Sequence, residues 1–471
     1  MRTLMNRRHF LRVAAASSAL SVGAGLTPWP GRMMTAHAAD TTNYKALVCV
    51  FLFGGLDSHD ILLPYDTESY NRFASIRQSL LSTYNGTRAR ESLLPLLPAN
   101  AAKFGSRQFA MPPEFAKLKG LFDRGRAAMV ANVGPLLEPV TAQAFADGAA
   151  RVPSRLFSHN DQQSTWQASA PEGAQLGWGG LFADAAITAG ANRTAPEFTT
   201  CAMAGVGPFL TGNIASPYQV SVNGTAGVDA LAGLGVAGGS EYRRFLQSTE
   251  NRLRAQGFNG RNILAKDVAN LYRDSIDTNK IFDAARASAA TINTEFPAGG
   301  LGSQLRAVAE TISIRDALSA SRQIFFVGIG GFDTHSNQAF DLPGLLGEID
   351  GALTAFDSAM QELGVGNQVT TFTASDFGRT LAVNGNGTDH GWGGHHIVMG
   401  GAIQGNRILG DVPPAQLGHD LDAGNGRLIP GLAIEQLADP LGRWWGLSDN
   451  EIAAALPNLR NFDPAGLNLF G

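Results

Sequence analysis

Five apolar runs, three of which break off at an aspartate, constrain this 471-residue chain more than any other feature. Ala46-Leu47-Val48-Cys49-Val50-Phe51-Leu52-Phe53 opens into Gly54-Gly55-Leu56-Asp57, and Ile324-Phe325-Phe326-Val327-Gly328-Ile329 into Gly330-Gly331-Phe332-Asp333. Val369-Thr370-Thr371-Phe372-Thr373-Ala374-Ser375 stops at Asp376, and two further runs occupy 127–134 and 396–401. Continuous rather than alternating apolar character marks strands covered on both faces, as in parallel sheets. Amphipathic stretches at 114–124, 241–254, 263–273, 301–318 and 345–362 separate the runs, and a further helical pattern fills 434–445. Strands alternating with helices predict an α/β fold: a large, mainly parallel sheet with helices on both faces. Residues 224–239 are Gly/Ala-rich and read as a surface loop, while 240–320 reads as a helical lobe or insertion.

The N-terminus carries an export pattern. Asn6-Arg7-Arg8-His9-Phe10-Leu11-Arg12 precedes an uncharged stretch over 13–26, and Ala36-His37-Ala38 presents small residues for cleavage. This order is that of a twin-arginine signal over 1–38, which would be removed by the export machinery to leave a mature domain over 39–471. The apolar stretch is shorter than the roughly 20 residues that span a bilayer. No later run is long enough either, so a soluble periplasmic or extracellular protein is expected, with no transmembrane anchor after cleavage. Five arginines and no acidic residue leave with the signal, which takes the formal charge from −4 to −9. A net negative chain is a poor partner for nucleic acid or anionic membrane. Two cysteines, Cys49 and Cys201, are too few for a disulfide framework or a cysteine zinc site.

Ligands of open parallel sheets bind beyond the carboxyl ends of the strands. Asp57, Asp333 and Asp376 are each expected at that edge. Asp333-Thr334-His335 places a carboxylate and an imidazole two residues apart, on one side of an extended chain. Asp389, His390, His395 and His396 add ligands from the segment 388–396, with only one of the two adjacent histidines expected to reach the site. Oxygen and imidazole donors without thiolate suit zinc, manganese, calcium, magnesium or iron. Ser158, beside His159, reads as a nucleophile next to a base or as a helix N-cap. Arg379 reads as a clamp for phosphate or sulfate oxygens, or as the partner of Asp376.

The motifs Phe53-Gly54-Gly55-Leu56-Asp57, Ser158-His159-Asn160-Asp161-Gln162, Gly177-Trp178, Gly331-Phe332-Asp333-Thr334-His335-Ser336-Asn337-Gln338, Ser375-Asp376-Phe377-Gly378-Arg379-Thr380 and Gly387-Thr388-Asp389-His390-Gly391 occur in this order after the twin-arginine signal. In that order and spacing the chain resembles the exported bacterial family known as domain of unknown function 1501. That family is in turn similar to the alkaline phosphatase and sulfatase superfamily. The resemblance implies a large α/β sheet with a two-metal site at the strand ends. It implies Asp57 as the first-strand metal aspartate, Asp333 and His335 as the Asp/His pair, and Asp376 as a strand-end ligand. Phe377 stands where that pattern has a metal-binding histidine, a place that Asp389, His390 or His395 would have to fill. Arg151-Val152-Pro153-Ser154-Arg155 has the flanking residues of a sulfatase nucleophile but an arginine at the nucleophile itself, which disfavours a formylglycine sulfatase.

Two functions follow as expectations. One is a metal-dependent hydrolase or transferase acting on an anionic phosphate or sulfate ester, free or carried by a polymer. The other is a non-catalytic envelope assembly or binding protein on the same fold.

Overall fold

The computed structural model describes residues 38–221, 224–225, 248, 251–252, 263–463 and 467–471. The expected signal segment 1–37, most of the Gly/Ala-rich stretch and most of the expected helix at 241–254 lie outside the described residues. Among the described residues no helix is long and apolar enough to cross a membrane.

The first apolar run forms strand β1 (Lys45–Leu52) at the centre of a ten-stranded sheet. Ala46, Val48, Val50 and Leu52 enter one hydrophobic cluster, and Leu47, Cys49 and Phe51 enter another on the opposite face. Both faces are covered, so the period of two is invisible in the sequence. Helix α1 (Thr67–Ile76) buries Phe73 in a separate small cluster with Leu63, Leu93, Ala110 and Leu381. Helices α2 (Ala116–Asp123), α6 (Gly300–Ser313) and α7 (Gln338–Glu362) close the first cluster. Helices α3 (His159–Ala168), α4 (Trp178–Thr188) and α8 (Ile434–Trp445) contribute to the second. Each large apolar side chain taken fully out of water there contributes roughly 1.5–3 kcal/mol. Helix α5 (Ile263–Arg286) reaches the first cluster through Phe282 and Ala285. Cys49 and Cys201 are free thiols buried on opposite faces.

The remaining strands are β2 (Ala127–Gly134), β3 (Thr200–Ala202), β4 (Tyr218–Ser221), β5 (Gly224–Thr225), β6 (Arg322–Ile329) and β7 (Val369–Ser375). A two-stranded ribbon, β8 (Arg379–Val383) and β9 (Thr388–His390), stands off the main sheet. β10 (Gly394–Met399), β11 (Ile408–Leu409) and β12 (Leu432–Ala433) complete the main sheet, and three short strands, Leu63–Pro64, Leu94–Pro95 and Phe109–Met111, form a separate one. The order is β11-β2-β10-β7-β1-β6-β3-β4-β5, with β12 also on β2. β1 runs parallel to β6 and β7. The run expected at 396–401 begins at Gly394 and lies antiparallel to both neighbours, β7 and β2. The ribbon keeps the connection from β7 at the carboxyl edge, so the chain re-enters the sheet from that edge, reversed.

Leu52 pairs with Ile329 on one side and Ser375 on the other, which sets the three strand ends level. Just beyond, the loops after β1 and β6 touch: Phe332 N donates to Phe53 O at 3.2 Å. Glycine at 54 makes this contact possible. Its φ is +116°, and a Cβ there would lie 2.4 Å from Asp333 N.

Gly54→Ala is therefore expected to cost about 2–4 kcal/mol, from left-handed strain plus overpacking. Gly86 has a similar φ of +82° but open space around it, so Gly86→Ala is expected to cost only about 1 kcal/mol. Urea denaturation of the two variants compares them, and equal losses would remove the close-approach explanation.

Candidate metal centre

Four side chains converge on one point at the carboxyl edge. Asp333 follows β6, His335 lies two residues on, His390 ends β9, and His159 opens α3. His335 Nε2 lies 3.0 Å from Asp333 Oδ1 and 2.9 Å from His390 Nε2. His390 Nε2 is 3.2 Å from Asp333 Oδ1, and His159 Nε2 is 3.5 Å from Asp333 Oδ2. His159, Asp333 and His390 alone form a grouping able to hold an ion, with one donor atom from each lying within 4.8 Å of the others.

The other ring nitrogen of each histidine meets an oxygen. His159 Nδ1 lies 2.6 Å from Asp376 Oδ2, and His390 Nδ1 lies 2.8 Å from the Phe157 carbonyl. His335 Nδ1 is 3.3 Å from Asp389 Oδ1. A carbonyl only accepts, so His390 Nδ1 carries the hydrogen and its Nε2 presents a lone pair. Two such Nε2 atoms facing each other and a carboxylate repel unless a proton or a cation lies between them. Imidazoles that ligate metals usually have their second nitrogen held in this way. Spacings of 2.9–3.2 Å match the edges of a coordination polyhedron with bonds of about 2.0–2.1 Å. The residues present therefore fit a metal ion.

Local backbone explains how the side chains arrive. Phe157 has a φ of +72°, a strained conformation for a non-glycine residue, and this turns its carbonyl toward His390. Arg379 is buried and donates through Nη1 to Asp333 Oδ1 at 2.7 Å and to Gly54 O at 3.2 Å. Its Nη2 donates to Thr388 O and its Nε to Thr388 Oγ1. Burial alone would raise the Asp333 carboxyl, but Arg379 holds it below the usual carboxylate range. The bond to Asp376 raises His159, against the effect of its partial burial.

Several expected site residues lie elsewhere or act differently. Asp57 does not reach the cluster: Arg77, the C-cap of α1, grips both its oxygens at 2.6 and 3.0 Å, and Gln338 Nε2 adds a third bond at 2.6 Å. Burial pushes this carboxyl up, and Arg77 more than reverses the effect. His395 is also outside, with Nδ1 accepting from Asn132 N at 2.9 Å. His396 lies edge-on to Trp166 at 4.8 Å between centroids. Neither adjacent histidine enters the site, because β10 carries both into the sheet interior. Asp376 faces His159 rather than Asp333, and Gln163 Nε2 donates to the same oxygen at 2.9 Å. Arg379 pairs with Asp333, not Asp376. Ser158 is the N-cap of α3, but its side chain makes no capping bond.

The sequence matches the family model described as Protein of unknown function (DUF1501) over residues 44–456. The chain belongs to that family. No curated protein matches it. Among solved structures, it is similar to the crystal structure of Ps i-CgsB at 10% identity, covering 90% of this chain and 77% of that one, with a TM-score of 0.33. A complex of Ps i-CgsB with k-i-k-neocarrahexaose gives 0.31 at the same identity and coverage. Likeness of this degree carries no argument about fold or chemistry.

The motifs read from the sequence include every member of the cluster in this DUF1501 chain. Motif reading missed Phe157 O and Gln163, which hold His390 and Asp376, and Arg77, which keeps Asp57 out of the cluster. A positive φ leaves no mark in the residue name, and Arg77 lies in an ordinary amphipathic helix end.

Three histidines outside the cluster are buried and neutral. Burial lowers His395 to about 4, and His59 and His396 to about 3. In the unfolded chain each titrates near 6.5. Below that value the unfolded state takes up protons that the native state refuses, so stability falls with falling pH. The expected slope is about 1.4 kcal/mol per pH unit for each histidine, from about pH 6.5 down to the folded values. Urea unfolding between pH 7.5 and 5 measures it, and the slope should shrink by about one-third in His396→Asn. A pH-independent midpoint over this range would contradict neutral burial.

Proposed function

We propose that this chain is an exported metal-dependent hydrolase, or group transferase, of phosphate or sulfate esters, built on an alkaline phosphatase-like frame. The observation that carries the reading is the shared orientation of His159, His335 and His390. Each Nδ1 meets an oxygen, and each Nε2 faces the Asp333 carboxylate. Three imidazoles and one carboxylate suit zinc, manganese or iron better than the oxygen-seeking calcium or magnesium. With Asp57 bound by Arg77, a single ion is the stoichiometry this reading expects.

An ion bound there would polarise an ester oxygen and lower the pKa of a water to about 7. The protein groups supply orientation and charge. Asp376 fixes the Nδ1 hydrogen of His159, and Arg379 fixes Asp333. The first turn of α3 has no side-chain cap, so its open N–H groups and positive dipole end favour anionic ester oxygens beside His159. Ser158, at the same helix start, is the protein nucleophile this reading offers. A non-catalytic envelope assembly or binding role is the second reading. It is favoured by the Ser158 hydroxyl, which has no hydrogen-bonded base among the described residues.

Elemental analysis of protein purified without chelator is expected to find one zinc, manganese or iron per chain. Asp333→Ala and His390→Ala should lose it, while Asp376→Asn should weaken binding by about 10–100-fold. Asp57→Asn should retain the ion but lose about 3–5 kcal/mol of stability, because Arg77 is left buried and unpaired. The loaded protein should turn over an aryl phosphate or sulfate, and the Asp333→Ala variant should not. Absence of an ion, with no thermal shift on adding zinc or manganese, would overturn the metal reading. Bound metal without turnover would favour the second reading.

The export proposal has its own test. Replacing Arg7 and Arg8 with lysine is expected to leave the full-length chain in the cytoplasm, and undiminished appearance outside it would exclude the twin-arginine route.

A further inference from the structure

A groove of about 360 Å³ lies beside the cluster. One wall is the face of α3 that carries Gln163, Ser164 and Gln167. Glu172, Gly205 and the half-buried Phe53 also line it. The groove adjoins the cluster on two sides. Gln163 Nε2 donates to Asp376, which holds His159. Phe53 precedes Gly54, whose carbonyl accepts from Arg379.

The hydrogen-bonding capacity left in this groove is specific. Gln163 donates one amide hydrogen to Asp376, which leaves its second N–H as a donor and Oε1 as an acceptor. Ser164 donates its hydroxyl hydrogen to Pro171 O at 2.9 Å, which leaves its lone pairs. Gln167 Oε1 accepts from Phe209 N at 3.4 Å, which leaves its NH2 as a donor. Asn160, also on α3, donates through Nδ2 to the Glu172 carboxylate at 3.4 Å, and Arg155 Nη1 lies 4.0 Å from its other oxygen. No lysine, arginine or histidine is among the described residues lining the groove. Neutral amide donors and acceptors therefore both remain free, with no lining cation to hold an anionic group. A hydroxyl rotates to donate or accept as each partner requires. Phe53 and Phe326 both line the groove, their centroids 6.3 Å apart, and an aromatic lining suits the C–H face of a pyranose ring.

We propose that this groove is the subsite for a neutral sugar unit, which would carry the ester into the metal centre. Its role in turnover rests on the hydrolase reading, whereas the binding chemistry stands on the groove alone. Calorimetric titration of the whole protein with neutral β-1,4-glucan, β-1,4-xylan and α-1,4-glucan hexasaccharides tests it, with a sulfated glucan hexasaccharide and hexaglycine as comparisons. A Cβ at Gly205 meets nothing within 4 Å, so Gly205→Trp is expected to fill the groove without displacing the backbone, and an unchanged urea midpoint checks this. At least one neutral hexasaccharide should bind, with affinity reduced about tenfold or more by Gly205→Trp. In Asp333→Ala, where no metal centre adds to the binding of a sulfate, the sulfated hexasaccharide and hexaglycine should bind more weakly than that neutral sugar. Binding should persist in Asp333→Ala, which separates failure of the subsite from failure of the metal centre. No neutral binding, preferential binding of hexaglycine or of the sulfated sugar by Asp333→Ala, or indifference to Gly205→Trp would overturn the proposal.

Discussion

The pairing of Arg379 with Asp333 is the interaction on which the carboxyl edge depends. A buried guanidinium needs partners for its donors, or its desolvation is not offset. Here the partners come from three separate loops: Gly54 after β1, Asp333 after β6, and Thr388 in β9. The planar fork of arginine is rigid, so it sets the distances among those loops as well as binding them. Asp333 is pinned on the side facing the protein and half-exposed on the other, where the imidazoles gather. The glycine at 54 is the steric counterpart, since only a residue without Cβ lets the loop after β1 pass so close to Asp333 N.

Beneath this layer lies a second set of buried charges. Arg77 holds Asp57, and Arg88 holds Asp60 through two bonds of 2.6 and 2.9 Å. Gln338 joins this set to the site: Nε2 donates to Asp57, while Oε1 accepts from Thr388 Oγ1 at 2.8 Å and Thr334 Oγ1 at 3.1 Å. Buried ion pairs of this kind add little stability over apolar packing, but losing one partner is costly. Their effect here is geometric. They hold the start of α7 and the ribbon in one register, and they occupy the aspartate that would otherwise be free to bind an ion.

Helix α3 performs two tasks from one short sequence. Its first residue, His159, enters the cluster, and Gln163, one turn later, reaches Asp376 on the same face. The next polar positions of the helix line the groove. The cluster and the neighbouring groove thus share a single rigid element, and the strained Phe157 just before it holds His390 as well.

Much of the frame was legible in the sequence. Apolar runs at 46–53, 127–134, 323–329 and 369–375 are strands, and the helix expected at 434–445 is α8 to the residue, because burial on both faces and a helical apolar stripe leave direct marks in composition and spacing. The strand-end aspartates and the histidines of 333–335 and 390 were legible as candidates for the same reason: turns after buried strands collect polar residues that can face a ligand. The sequence did not reveal which of them share a site. Asp57, Asp333 and Asp376 look alike as residues at strand ends, yet one is bound by Arg77, one faces three imidazoles, and one orients His159. His390 and His395 are five positions apart, and only the first reaches the cluster. By itself the sequence determined a large two-face-buried sheet with polar chemistry at its carboxyl edge, since hydrophobic burial follows from local pattern. Tertiary structure alone decided the roles of the charged groups, because a carboxylate's chemistry depends on the partner that desolvation forces upon it, and those partners lie up to some three hundred residues away in the chain.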